Sequence, residues 1–219
     1  IEQLLVLDKL TYAGNLKNLS RIRDSSNFKF IHGDICNSSL LDQLLSDVDA
    51  VINFAAESHV DRSIDSAEVF VNTNVSGVLK ILDAILRAKK HIRFLQVSTD
   101  EVYGTIDKGS WKEDSPLLPN SPYSASKASG ELIAQAYYKT HGVDVVITRC
   151  SNNYGSYHHP EKLIPLFITN ILEGKKVPLY GDGLNVRDWL HVSDHCDAIT
   201  AVLNNGKSGS IYNIGGGVE

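Results

Sequence analysis

Arg93-Phe-Leu-Gln-Val-Ser-Thr-Asp-Glu-Val-Tyr-Gly104 (RFLQVSTDEVYG, residues 93–104) decides how this chain folds. The run Arg93–Ser98 has no sustained polar alternation, and it gives way to a hydroxyl, two adjacent carboxyls and a closing glycine. Such a run suits a strand buried on both faces, the condition of a parallel sheet covered by helices. Working outward, similar runs stand at Gln3–Asp8 (QLLVLD), Phe28–Ile31, Ala50–Ala55 (AVINFA) and Val143–Arg149 (VDVVITR). Segments of helical period lie between them, at about 15–23, 38–46, 66–90 and 122–141. Strands alternating with helices predict an α/β fold on a parallel sheet. After Arg149 the chain turns richer in Asn, Tyr, Gly, His and Pro, with helices expected near 161–173 and 194–204 and a strand at Ile211–Ile214. This predicts a first region over 1–150 and a smaller one over 151–219.

The 219 residues are 42% hydrophobic and 21% charged, a globular balance with material for a sizeable core. Lys plus Arg is 21 and Asp plus Glu is 26; the net charge of −5 offers no footprint for nucleic acid or an anionic membrane. No apolar run approaches the roughly 20 residues of a membrane span, and no signal peptide is visible. Cys36, Cys150 and Cys196 lack metal-type spacing and read as reduced thiols of a cytoplasmic protein. His191 and His195 are four apart, but no third ligand has suitable spacing, so no metal is expected.

Asp8 closes the first expected strand. In a Rossmann-type doubly wound sheet, an acidic residue at the end of the second strand bonds the adenosine ribose, and a glycine-rich phosphate loop lies about 20 residues earlier. No G-x-G-x-x-G strand–turn–helix is present. The first strand and glycine loop are therefore expected before Ile1, and a chain opening Ile1-Glu2 is expected to be part of something longer. Asp8 would also repel a 2′-phosphate, which favours NAD over NADP.

Tyr123-Ser-Ala-Ser-Lys127 has the spacing Y-x-x-x-K. Ser121 suits an N-cap and Pro122 the first helical position, so phenol and ammonium should share one helix face. A phenolate can take a proton from a sugar hydroxyl as hydride leaves the same carbon. A half-buried Tyr beside a solvated Lys would give the same spacing. Ser98–Gly104 supplies context, because open α/β sheets bind ligands at the carboxyl ends of their strands. Two carboxyls in unlike environments there can divide into an acid and a base. Ser98-x-x-Glu101 also fits a capping box, but Gly104, Gly109 and Pro116 follow instead of a helical period. Ala55-Ala56-Glu57-Ser58-His59 follows the preceding strand with small residues that admit a ligand to the backbone. His59 is expected to be a bonded loop histidine, and Asp61 and Arg62 to be solvated. Asn152, Asn153, Lys162, Leu163, Pro178, Tyr180 and Arg187 lie in the polar second half, where amides and cations suit a nucleotide diphosphate.

Taken together, AAESHVDRSI, STDEVYG, SPYSASKA, TRCSNNYG and NVRDWLHVSDH resemble the dTDP-glucose 4,6-dehydratases of the extended short-chain dehydrogenase/reductase family. The likeness runs from LDKLTYAGN to IYNIGGG and stops short of the family's usual carboxyl-terminal part. It implies a Rossmann domain holding NAD, a smaller sugar-nucleotide domain, and a homodimer paired through the helices near 66–90 and 122–141. It implies that Tyr123 takes the O4 proton while hydride passes from C4 to NAD. Lys127 would lower the phenol's pKa and hold the cofactor ribose, and Thr99 would bond near O4. Glu101 would remove the C5 proton and Asp100 would protonate the departing C6 hydroxyl. Hydride then returns to C6, turning dTDP-glucose into dTDP-4-keto-6-deoxyglucose. The resemblance places Asp8, Lys9, Leu10, Thr11, Asp34, Ile35, Ala55, Ala56, Ser58, Thr73, Tyr123, Lys127 and Asn153 around NAD. It places Ser58, Thr99, Asn152, Lys162, Leu163, Pro178, Tyr180 and Arg187 around the substrate.

A 4-epimerase of the same family would share Tyr123 and Lys127 but needs no acid–base pair for elimination. GDP-mannose dehydratases and UDP-glucuronate decarboxylases usually read Thr-Ser-Glu where this chain has Thr99-Asp100-Glu101, so Asp100 favours the dTDP-glucose type. A truncated, non-catalytic nucleotide-binding module is the alternative from another class. The absent glycine loop speaks for it; the intact Tyr123, Lys127, Asp100 and Glu101 speak against it. The choice between dTDP and UDP stays open.

Overall fold

A computed structural model describes residues 2–217. In chain order the elements are strand β1 (Leu4–Asp8), a 3-10 turn (Leu16–Leu19), β2 (Phe28–His32), helix α1 (Ser38–Leu45), β3 (Ala50–Asn53), α2 (Val60–Asp65), α3 (Ala67–Val71), a π turn (Asn72–Gly77) and α4 (Val78–Ala88). There follow β4 (Arg93–Thr99), a 3-10 turn (Asp100–Tyr103), α5 (Pro122–His141), β5 (Val145–Cys150), β6 (Asn152–Tyr154), α6 (Leu163–Leu172), β7 (Trp189–His191), α7 (Val192–Asn205) and β8 (Ile211–Ile214).

All the ladders are parallel. The main sheet runs β3-β4-β5-β8, while β1-β2 and β6-β7 form separate two-stranded sheets. No ladder joins β1 to β3 among the described residues. Alternation along each strand sends side chains to opposite layers. Phe94, Val145 and Ile147 pack with Val78, Ile81, Leu82 and Ile85 of α4 and Ala134 of α5 on one face. Leu95, Val97 and Val146 pack with Ile199 of α7 on the other. β4 is therefore buried on both sides, as its unbroken run requires.

The strands form where the runs predict, with ends displaced by at most about two residues, the usual uncertainty of boundaries. The helix expected at 15–23 contracts to the 3-10 turn Leu16–Leu19, which buries no side chain and so has nothing to hold a longer helix. The helix expected at 66–90 is a 22-residue run, Ala67–Ala88, broken in register by the π turn. At mean hydropathy 1.4 it is long and apolar enough to cross a membrane, contrary to the reading of the sequence. Its apolar stripe (Phe70, Val78, Ile81, Leu82, Ile85) is core instead. From the later part of the chain, α7 packs on the main sheet through Ile199 and β8 joins it, where Ile147 pairs with Ile211. Three short elements, α2, β6 and β7, escaped the sequence reading because three to six residues carry too little period.

α5 starts and stops as its ends dictate. Ser121 and Ser124 form a reciprocal capping box, Pro122 opens the first turn, and Gly142 closes the helix at φ 69°. Gly130 lets α5 press against the π turn, since a Cβ there would sit 2.6 Å from the Asn74 carbonyl oxygen. Asn74 fixes that contact: its amide donates to Ser126 Oγ at 2.9 Å and to the Glu57 carbonyl oxygen at 3.0 Å, and accepts from the Glu57 N–H at 2.9 Å.

Candidate active site

Several predicted site residues follow the carboxyl ends of parallel strands: Ala55, Ala56 and Ser58 after β3, Thr99 to Glu101 at the end of β4, and Asn152 and Asn153 after β5. After β4, Thr99 caps the 3-10 turn, its Oγ1 accepting from the Glu101 N–H at 3.2 Å and donating to Asp100 Oδ1 at 3.2 Å. The cap is thus Thr99, not Ser98, and Gly104 ends the turn at φ 88°, where a Cβ would strike the Leu118 carbonyl. Burial pushes the Asp100 carboxyl up; Arg187 and the Thr99 hydrogen bond oppose this. Glu101 is pushed up by burial and then by Asp100, against Arg187 and Lys162. The fold therefore brings Asp100, Glu101, Lys162 and Arg187 into one electrostatic neighbourhood.

Tyr123 is buried on α5 with its ring edge-on to Phe70, 6.4 Å between centroids. Burial first, then Glu101 and Cys150, raise its phenol above the ordinary range, while a hydrogen bond with Thr99 opposes the rise. The expected lowering by Lys127 does not appear: burial raises the phenol, and the Lys127 ammonium faces the Val97 carbonyl oxygen at 2.7 Å. Lys127 is 5% exposed, and no carboxylate lies within salt-bridge distance of it among the described residues. A buried ammonium with a single protein acceptor suits further hydroxyl acceptors such as a ribose diol.

Burial lowers Lys127 from 10.5 to about 8. An ammonium with a depressed folded pKa holds its proton more tightly in the unfolded chain. The cost is full below pH 8 and fades as pH rises from 8 towards 10.5. At about 1.36 kcal/mol per unit the shift corresponds to about 3 kcal/mol. Lys127→Met is expected to stabilise the ligand-free protein by about 2 kcal/mol at pH 7, with a smaller gain above pH 8. Urea unfolding across that range tests this; unchanged or reduced stability at pH 7 would refute it.

On the β1 side, Asp8 Oδ1 accepts the Leu10 N–H at 2.6 Å, and Leu10 takes φ 51°. Lys9 pairs with Asp34 at 2.7 Å, and Asp34 also accepts the Cys36 N–H at 2.8 Å. Thr11 and Ser58 are exposed, while Ala55, Ala56 and Thr73 are half-buried. Ile35 turns its side chain into the core, leaving only its backbone for a ligand. Asn153 commits its amide to Cys150 Sγ, the Ser151 carbonyl and His195. Asn152 sits in the β6–β7 ladder. Lys162 donates to the Ser58 carbonyl oxygen at 3.2 Å, and burial lowers its pKa. Leu163, Pro178 and Tyr180 are exposed, Tyr180 donating to Asp61 Oδ2 at 3.3 Å.

Two features escaped the sequence reading, at Arg62 and at Cys150. Arg62 is not simply solvated: it lies 3.8 Å over the Tyr12 ring and pairs with Glu161 at 3.3 Å, and Tyr12 Oη donates to Glu161 at 2.9 Å. His59 is the bonded loop histidine expected: it caps α2 and lies 3.9 Å from the same carboxylate. Cys150, read only as a reduced thiol, is pushed up to about 11 by burial and Asp100, against the Asn153 hydrogen bond and Lys127. Only Cys150 had a signal, since it directly follows a strand predicted to end at the site.

The sequence model of the family described as GDP-mannose 4,6 dehydratase matches residues 2–219. A dTDP-glucose 4,6-dehydratase of Streptomyces niveus is 56% identical over 217 residues, covering 99% of this chain and 64% of that protein. The low-salt glycan biosynthesis protein Agl12 of Haloferax volcanii is 52% identical over 218 residues, covering 100% and 70%. This chain spans 64% and 68% of the first two such dehydratases, from Streptomyces niveus and an Actinoplanes strain. A crystal structure of the Streptomyces venezuelae dTDP-glucose 4,6-dehydratase with NAD bound superposes at TM-score 0.97 and 57% identity, over 99% of this chain and 67% of that one. A Bacillus cereus UDP-glucuronic acid 4-epimerase in complex with UDP-glucuronic acid and NAD superposes at 0.92 and 29%, over 99% and 70%.

Proposed function

The chain belongs to the family described as GDP-mannose 4,6 dehydratase, and we propose that its reaction is the dehydration of dTDP-glucose to dTDP-4-keto-6-deoxyglucose with NAD held in the protein. One observation carries this reading: the Asp100–Glu101 turn, capped by Thr99, adjoins the buried Tyr123 at the carboxyl end of the central strand. Backbone likeness alone does not separate dehydratase from epimerase, since an epimerase superposes at TM-score 0.92. The carboxyl pair supports the dehydratase, because elimination needs a base at C5 and an acid at C6.

NAD, when bound, supplies a reversible acceptor for the two electrons removed from C4. Lys127, with buried donors to spare, fits one ribose of that cofactor, and Asp8, with one oxygen uncommitted in the hydrogen bonds above, fits the other. Lys9, Leu10, Thr11, Asp34, Ala55, Ala56, Ser58, Thr73 and the Ile35 backbone surround that path. Tyr123 takes the O4 proton, and Thr99 orients the same hydroxyl. Glu101 takes the C5 proton once C4 is a ketone. Asp100, whose carboxyl burial keeps protonated further up the pH scale, gives its proton to the C6 hydroxyl. Arg187 and Lys162 hold the anionic nucleotide, with Ser58, Asn152, Leu163, Pro178 and Tyr180 completing the substrate side, and Asn153 stands with the NAD set. A homodimer through α3–α4 and α5 is supported by the exposed Val69, Val71 and Leu132 on those helices. A cytoplasmic location fits the free thiols of Cys36, Cys150 and Cys196.

The test is to incubate the full-length protein separately with dTDP-glucose and UDP-glucose and to analyse the sugar product. The reading expects a 4-keto-6-deoxy sugar, faster from dTDP-glucose. A 4-epimer in its place would establish the epimerase, and absence of bound NAD with no product would establish the non-catalytic module.

A further inference from the structure

We propose that Glu131, acting through Arg149 and Tyr103, is a positioning residue that keeps the Asp100–Glu101 turn in register with the Tyr123–Lys127 face of α5; this rests on the acid–base reading of that turn. Glu131 and Arg149 have side-chain exposures of 0% and 2%. Arg149 Nε and Nη2 both donate to Glu131 Oε2, at 2.9 and 2.7 Å. Arg149 Nη1 donates to Tyr103 Oη at 2.7 Å and to the Glu113 carbonyl oxygen at 3.2 Å. Tyr103 Oη in turn donates to Asn213 Oδ1 at 2.7 Å. Tyr103 is the last residue of the turn that Asp100 begins, and Glu131 lies one helical turn beyond Lys127.

One continuous run of hydrogen bonds thus joins the acid–base turn, through the end of β5, to the helix that carries the phenol and ammonium. Two charges buried this deeply lose in hydration about what they gain from each other, and apolar residues of equal volume would hold α5 on β5 as well. Direction is what such residues would not supply. The planar guanidinium fork fixes Glu131 and Tyr103 at once, and each bond has a set angle. Trp111 stacks on the Tyr103 ring at 5.4 Å and 14°, so ring packing does not depend on the hydroxyl.

The experiment uses the full-length protein with Tyr103→Phe, Glu131→Gln and the two combined. Each single change is expected to lower kcat for the keto sugar at least tenfold while KM stays within twofold. The initial transient from bound cofactor should be preserved, since Tyr123 and Lys127 stay on α5. The double variant should fall no further than the worse single one, because both cut the same run. Normal kcat with a lowered Tm, or losses that multiply in the double variant, would overturn the inference. Tyr103→Phe keeps the stacked ring and decides the matter alone where Glu131→Gln does not fold. An unaltered protein that makes no keto sugar would overturn both the acid–base reading and this inference. An active unaltered protein with equally active variants would overturn the inference only.

Discussion

In the Tyr123→Phe protein, turnover of sugar nucleotide is expected to fall by roughly 10²–10⁴-fold, the usual worth of a positioned acid–base group. The substitution removes one oxygen. The ring edge-on to Phe70 remains, and so do the capping box of α5 and the Lys127 bond to the Val97 carbonyl. Loss of activity would therefore report loss of proton transfer, not loss of fold. Burial and the Glu101 carboxylate both oppose ionisation of this phenol. Such a group does little as a free-standing base; it works when positive charge gathers beside it in the reacting complex. Stopped-flow absorbance of the cofactor on mixing with dTDP-glucose measures the first oxidation directly. A transient as fast as that of the unaltered protein would remove Tyr123 from the mechanism.

Glu101→Gln and Asp100→Asn should separate the reaction at its second stage. Oxidation at C4 should persist, while formation of the 4-keto-6-deoxy sugar falls by roughly 10²–10⁴-fold. Glu101 works as a base only when ionised, and burial with Asp100 raises its pKa above 4.5. Activity should accordingly rise with pH through that raised value, and the acidic limb should vanish in Glu101→Gln. Both carboxyls bind protons more tightly in the fold than in the unfolded chain. Their contribution to stability is therefore greatest at low pH and shrinks as pH rises through the folded values. Either amide should leave neutral-pH stability equal or greater, the pattern of a site held ready at the expense of stability. Normal product yield from both variants would refute the assignment.

Much of this was legible along the chain. The runs without polar alternation place β4 and β5, and Ser121, Pro122 and Gly142 mark the ends of α5. Tyr123, Lys127 and the Asp100–Glu101 turn then follow by spacing. The helix expected at 15–23 failed because nothing packs on it, and period alone does not reveal what a segment will pack against. Arg62 was misread for a like reason, since its partner Glu161 lies 99 residues away.

By itself, the sequence determined the alternation of strands and helices, the helix face shared by Tyr123 and Lys127, and the placing of two carboxyls at a strand end. Those features depend on period, caps and neighbours within a few residues. Only the tertiary structure decided that Lys127 lies buried with no carboxylate in salt-bridge distance among the described residues, that the acid pair is raised, and that Glu131 meets Arg149 from 18 residues away and Tyr12 meets Glu161 from 149. Desolvation and long-range pairing arise from the packing of remote segments, which no local pattern encodes.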